Sequence, residues 1–319
     1  MHDGPMMTSL AGVALRNPIL LAAGTCGYLD ELADVADLAR VGAIVTKSIT
    51  PLPREGNATW RIIDSRCGML NAIGLANVGV DHFVEHIGPR VAGLTARTGT
   101  RVIGSVAGFS LEDYVLVAGA LAGVEGIAAI ELNVSCPNVR GGAEFGADAG
   151  ALREVVSAVV PGLSEKPLIV KLSPVVVGPV GGTIVDLARA AVAGGARGLC
   201  VANTVPAMAI DVWTRKPRLA NKTGGLSGPG IHPIAVRLVH EVYQKVAKEA
   251  GVPIVGLGGV MAWQDAAEMI LAGATAVGMG TALFADPRAG QKAARGLERW
   301  VRKQGRGSVG DLVGAIESE

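Results

Sequence analysis

Apolar residues in this chain gather in short unbroken blocks rather than in the in-out alternation of a half-buried strand. Eight such blocks, rich in Val, Ile, Leu and Ala, recur at 18–22 (PILLA), 43–47 (AIVTK), 101–106 (RVIGSV), 128–133 (AAIELN), 167–172 (PLIVKL), 198–203 (GLCVAN), 253–258 (PIVGLG) and 275–280 (TAVGMG). Between them lie stretches whose apolar positions repeat at helical spacing: 31–41, 152–160, 234–250 and 264–274. Strand and helix therefore alternate. Continuously apolar strands separated by helices predict a parallel sheet covered by helices on its outer face. Eight strands predict its closed form, a (β/α)8 barrel. A doubly wound sheet alternates in the same way, but its first turn should carry G-x-G-x-x-G, and 22–31 (AAGTCGYLDE) fits that pattern poorly.

The Pro/Gly-rich stretches 48–79 and 204–231 interrupt the alternation after the second and sixth blocks and read as insertions on the barrel rather than linkers. No repeat or composition break divides the chain, so residues 1–319 are expected to form one barrel domain. Half of the 319 residues are hydrophobic, enough for a large core, and the net charge is only +1. No basic run or basic-aromatic interleaving appears, which argues against nucleic acid as a partner. No apolar run approaches the ~18 residues of a membrane helix, and no leader pattern opens the chain. Cys26, Cys67, Cys136 and Cys200 are scattered without C-x-x-C or Cys/His spacing. They hold no expected metal or iron–sulfur cluster, and they suit a reducing cytoplasmic setting.

Polar side chains collect where the strands end, and in a barrel those ends form the functional face. Lys47, Ser105, Asn133 and Lys171 fall at or near the ends of blocks two to five. Asn203 and Thr204 follow block six, Gly258 and Gly259 block seven, and Gly280 and Thr281 block eight. Two lysines on one rim suit an anionic substrate and a ligand that gains negative charge during reaction. Glycines after the last two strands suit a phosphate held by backbone N–H groups, although each pair alone also reads as a tight turn. Cys136, among Asn133, Ser135, Pro137 and Asn138, has three readings: an inert buried thiol, a disulfide or metal ligand without a partner at suitable spacing, or a general base. The other three cysteines read as structural. Asn71 lies in an apolar part of the first insertion that could fold back over the site. The histidines at 2, 82, 86, 232 and 240 are given no catalytic role.

These residues stand in segments that resemble class 1 dihydroorotate dehydrogenases from about 17 to 284. The matching stretches include NPILLAAGTCGY, GMLNAIGLANVGV, ELNVSCPNV, VKLSP, MAIDVWTRKPRLANKTGGLSGPGIHPIA, PIVGLGGV and AVGMGTALF. The loop SCPNVRGGAEFG (135–146) is similar to the NAD-linked subclass 1B, whereas the fumarate-linked 1A form carries a GKPQ-type segment there. A cysteine in the loop sets the chain apart from class 2, which uses serine. The resemblance implies FMN as cofactor and oxidation of (S)-dihydroorotate to orotate, with Cys136 as the base. It implies substrate contacts from Lys47, Asn71, Ala72, Ile73, Gly74, Leu75, Asn133, Asn138, Asn203 and Thr204. It implies FMN contacts from Ala23, Gly24, Lys47, Ser48, Ser105, Asn133, Lys171, Ala202, Gly228, Gly258, Gly259, Gly280 and Thr281. It further implies a homodimer of this chain joined to a subunit carrying FAD and a [2Fe–2S] cluster, as a heterotetramer. The chain departs from the subclass in having Ala23-Gly24 where ASG is common and Ser105 where Asn is common, and its loop after Val139 is one residue shorter. Two rival readings remain at this level: a fumarate-linked enzyme or another dihydropyrimidine flavoenzyme, and a non-catalytic scaffold.

Overall fold

The computed structural model of the chain describes residues 4–134, 145–174 and 182–317. Cys136 and Asn138 lie outside the described residues. All eight apolar blocks are strands: β1 (Ile19–Leu21), β2 (Ala43–Val45), β3 (Arg101–Val106), β4 (Ile127–Asn133), β5 (Leu168–Lys171), β6 (Gly198–Val201), β7 (Ile254–Leu257) and β8 (Ala276–Met279). They pair in parallel, each with the next, and β8 closes on β1. Helices α1 (Val91–Thr98), α2 (Leu111–Gly123), α3 (Ala149–Val159), α4 (Ile184–Ala193), α5 (His232–Val242), α6 (Trp263–Ala272) and α7 (Ala289–Lys303) surround them. The chain thus folds as a (β/α)8 barrel.

Local signals start the helices. Ser110 accepts the Asp113 N–H at 3.2 Å ahead of α2, and Asp148 accepts the Ala151 N–H at 2.7 Å ahead of α3. Between β1 and β2, however, the stretch 31–41 does not form the helix its spacing predicts. It runs as turns into the single 3-10 turn Leu38–Arg40. Glu31 takes the N–H groups of Tyr28 and Leu29, and Asp37 takes that of Ala39. These side chains satisfy the backbone locally, in competition with helical hydrogen bonds. Val35, within the apolar stripe, is 53% exposed, so little burial is available to favour the helix.

Side chains on a strand alternate between faces, and the barrel uses this to separate two cores. The outward residues of β3, Val102 and Val106, pack under the helices in the main core. Ile103 instead points into the barrel with Leu20, Val45, Ala129, Ile169, Cys200 and Val255. The hairpin Thr8–Leu10 and Val13–Leu15 closes the floor, placing fully buried Leu10 and Leu15 in this inner cluster.

At the opposite end the two insertions join. The hairpin Ile62–Ser65 with Gly68–Asn71, from the first, pairs with Thr223–Ser227, from the second, which pairs with Val205–Met208. The result is a four-stranded antiparallel sheet over the barrel mouth. Its far face has a small core of Leu70, Ala72 and Leu219. Alternation then turns Met69 and Asn71 the other way, toward the barrel.

Candidate active site

The barrel mouth and the sheet enclose a cavity of about 430 Å³, within the ~300–1,000 Å³ typical of small-molecule sites. Its wall contains Ala23, Gly24, Lys47, Ser48, Asn71, Ile73, Leu75, Asn133, Lys171, Ala202, Asn203 and Thr204. It also contains Gly228, Gly258, Gly259, Gly280 and Thr281. The structure thus brings together residues contributed by all eight strand ends except that of β3. Ser105, at the end of β3, is fully buried one step behind the wall. Ala72 belongs to the small core of the sheet, and Gly74 lies in the irregular segment after it at φ 75°.

Period-two geometry explains the inward polar layer. On β4 the inward residues are Ala129, Glu131 and Asn133; on β5, Ile169 and Lys171; beyond β2, Lys47 follows Ala43 and Val45. Moving up β2 to β5 therefore trades aliphatic side chains for polar ones, whereas the inward positions of β1, β6, β7 and β8 end in alanine, glycine or leucine. The polar groups are linked: Ser105 Oγ donates to Glu131 Oε1 at 3.2 Å and lies 2.9 Å from Ser48 Oγ. Asn133 Nδ2 donates to Ser48 Oγ at 3.2 Å, and Asn203 Nδ2 donates to Asn133 Oδ1 at 3.2 Å. The Thr204 N–H donates to Asn203 Oδ1 at 2.7 Å. Each bond restricts the rotation of an amide, so the amides face the cavity in set orientations before any ligand arrives. Across from them, Asn71 Nδ2 donates to the Gly225 carbonyl at 3.2 Å. Gly225 must be glycine, since a Cβ there would lie 1.9 Å from Thr204 Oγ1.

Three cations define the electrostatics. Lys171 is 5% exposed and lines the cavity, with no hydrogen bond or ion pair to its ammonium among the described residues. A buried charge without a partner is costly unless a ligand supplies the counter-charge. Lys47 is held below the ordinary lysine range, first by burial and then by the Arg61 guanidinium, with Glu31 opposing. Arg61 also lines the cavity, so two cations share one end of it. Burial pushes the Cys26 thiol up to about 12, and burial with the nearby Glu131 pushes Cys200 up as well. Neither thiol ionises near neutral pH, in keeping with their structural reading. Cys67, by contrast, is exposed.

The sequence reading missed Arg61, Ile62, Met69 and Ser227 of the sheet and Phe284 beyond β8. Only pairing between the insertions brings the first four to the cavity, though the alternation in 68–71 was a usable signal for Met69. It also missed Glu131, which stands inside an apolar block yet is buried behind Ser105.

Comparison with known proteins decides the family. The sequence model described as "Dihydroorotate dehydrogenase" matches residues 6–301. The chain belongs to the dihydroorotate dehydrogenase family. Among its relatives are two proteins named dihydroorotate dehydrogenase B (NAD(+)), catalytic subunit. The one from Geobacter sp. (strain M21) is 46% identical over 318 residues, 99% of this chain and 100% of the relative. The one from Pelobacter propionicus is 47% identical over 313 residues, 98% of each. A relative from Aquifex aeolicus, 43% identical over 310 residues and 97% of each chain, carries a provisional name as dihydroorotate dehydrogenase A (fumarate). Membership of this family accounts for a barrel whose polar side chains crowd one mouth. Among the described residues no helix is long and apolar enough to cross a membrane, and no cluster of His, Cys, Asp and Glu could hold a metal ion.

Proposed function

We propose that this chain is the catalytic subunit of an NAD-linked dihydroorotate dehydrogenase, oxidising (S)-dihydroorotate to orotate in UMP biosynthesis with FMN in the cavity. The observation that carries this reading is the wall itself: a linked row of amides facing the same space as the buried ammonium of Lys171, which has no partner among the described residues. Amides so oriented suit a ring with alternating carbonyl and N–H groups, and an analogue lacking those groups would forgo the additional hydrogen bonds they can offer. The wall also fits FMN. Gly258, Gly259 and Gly280 present bare backbone to the cavity, suited to a phosphate, and Lys171 supplies a fixed positive charge.

When bound, FMN supplies the acceptor for the hydride that leaves C6 of dihydroorotate. Cys136, assigned by resemblance, removes the C5 proton, so that a C5–C6 double bond forms as two electrons depart. Asn71, Asn133 and Asn203, with Asn138 by resemblance, orient the pyrimidine ring. Lys47, with Arg61 beside it, holds the carboxylate. Lys171 stabilises the negative charge that develops on the ligand at the reduced stage, acting as a preset electrostatic group. The names of the relatives include "catalytic subunit", which supports a separate subunit for electron transfer. That this subunit carries FAD and a [2Fe–2S] cluster, in a cytoplasmic heterotetramer around a dimer of this chain, is what the family resemblance implies. The Aquifex relative's name favours fumarate as a second reading of the electron acceptor.

The test is anaerobic stopped-flow absorbance of the purified FMN-loaded chain mixed with dihydroorotate, for wild type and Cys136→Ala. Rapid bleaching in wild type, with binding but scarcely any bleaching in the variant, is expected. Equal bleaching removes Cys136 as base, and no bleaching in either removes the substrate assignment. Adding NAD or fumarate to the reduced protein, with and without co-purified subunits, separates the two acceptors.

A further inference from the structure

His232 opens α5 and does not line the cavity, yet it sits directly beneath the turn after β7. Its Nδ1 lies 3.0 Å from the Gly258 carbonyl oxygen, which can only accept, so Nδ1 carries a proton and donates it. Its Nε2 faces carboxylates from α6: Glu268 Oε2 at 3.2 Å and Asp265 Oδ1 at 4.0 Å. Asp265 in turn accepts the N–H groups of Met261 and Ala262 at 2.8 and 2.9 Å. The segment from Gly258 to Ala262 is thus tied at its start by His232 and at its end by Asp265, and those two side chains face each other.

In a trans peptide the carbonyl of one residue and the N–H of the next point in opposite directions. The carbonyl of Gly258 is drawn down to His232, outside the cavity, so the Gly259 N–H is directed away from His232, on the side of the turn that lines the cavity. No described residue accepts that N–H. The packing beneath leaves no alternative rotation for a bulkier residue, because Gly259 has φ 67° and a Cβ there would lie 2.7 Å from His232 Cβ.

We propose that His232 is a positioning residue for the phosphate end of the cofactor: by fixing the Gly258 carbonyl it presents the Gly259 N–H to a phosphate oxygen. The inference rests on the reading that FMN occupies this cavity. It predicts selectivity for the phosphate rather than for the flavin ring, because the turn is held at one end of the site only.

The test compares FMN with riboflavin, which lacks the phosphate, by flavin fluorescence quenching on the full-length chain stripped of flavin. His232→Leu removes the donor, and His232→Asn keeps a donor at about the Nδ1 position. The expected result is an FMN dissociation constant raised about three- to tenfold in His232→Leu, the loss of roughly one hydrogen bond. Riboflavin binding stays unchanged, and His232→Asn stays within about threefold of wild type for FMN. A purely structural role would weaken both flavins together and lower the melting temperature of the flavin-free protein in step; that pattern, or no change in either flavin, overturns the proposal. Wild-type protein that binds neither flavin overturns the functional reading instead, and the inference falls with it.

Discussion

The floor and the mouth of this barrel are made from the same strands, a few residues apart, and they are built on opposite principles. At the floor Leu10 and Leu15 of the hairpin press into Leu20, Ile103, Ala129 and Ile169. Two residues further along those strands the inward positions are Ser105, Glu131 and Lys171, all almost completely buried. Lys171 there forms no ion pair among the described residues, and Asn133, level with it on β4, is bound into a polar row. The floor gains stability from every group it buries. The mouth holds charge and oriented amides in a place where burial is costly, so it is stable only because the rest of the barrel is. A (β/α)8 barrel can separate these roles because its strands are parallel, with every C-terminal end at one face.

The sharpest way to break the comparison is to exchange the two costs. Lys171→Met is expected to slow flavin reduction by dihydroorotate about 10²–10³-fold, the scale for removing a preset electrostatic group. The melting temperature of the flavin-free protein should hold or rise, because a buried charge with no ion-pair partner among the described residues is removed. Stopped-flow absorbance and calorimetry on the same preparations check both halves; a large drop in melting temperature would make Lys171 a structural residue.

Leu10→Ala should do the reverse. It is expected to cost about 2–5 kcal/mol of folding stability through a cavity in the floor, read by denaturant titration, while the rate constant of flavin reduction in the folded fraction stays unchanged. A slowed reaction would mean that floor and mouth are coupled.

Between the two lies Ser105→Ala, which removes the donor to Glu131 and the contact to Ser48. Leaving a buried carboxylate short of a donor is expected to cost about 1–3 kcal/mol of stability, with a rise of only a few-fold in KM. An effect on kcat larger than on stability would place Ser105 in the reaction rather than behind it.

The smallest effect concerns pH. Burial and Arg61 lower the pKa of Lys47 below the ordinary lysine value of 10.5. The folded chain therefore sheds that proton at lower pH than the unfolded chain, which holds more protons in the window just below 10.5. Lysine 47's penalty on folding is present in full below its folded pKa and is relieved as pH climbs through it. Affinity for the dihydroorotate anion should fall over that same window, and Lys47→Arg should flatten the profile. Dissociation constants measured against pH decide this, and an unchanged affinity up to 10.5 would detach Lys47 from the carboxylate.

How much of this was legible beforehand differs by region. All eight strands could be read because each is buried on both faces and so appears as an unbroken apolar block. The stretch 31–41 misled, since Glu31 and Asp37 satisfy backbone groups that helical hydrogen bonds would otherwise use, a competition invisible to apolar spacing. Lys47, Asn133, Lys171 and Asn203 were legible because they stand at strand ends. Arg61 and Met69 were not, because nothing local says that the insertion 48–79 pairs with a segment more than 130 residues later. His232 appeared as one more polar residue of a helix, and its tie to Gly258 exists only once α5 packs beneath the turn after β7.

By itself, then, the sequence determined the strands, the order of strand and helix, and the crowding of polar side chains at one barrel face. These follow from burial and from the two-residue period of a strand, both of which are local properties. Tertiary structure alone decided the sheet that roofs the cavity, the direction in which each amide is held, and which charges meet at the cavity. Those depend on contacts between segments far apart in the chain, which hydrophobic spacing does not encode.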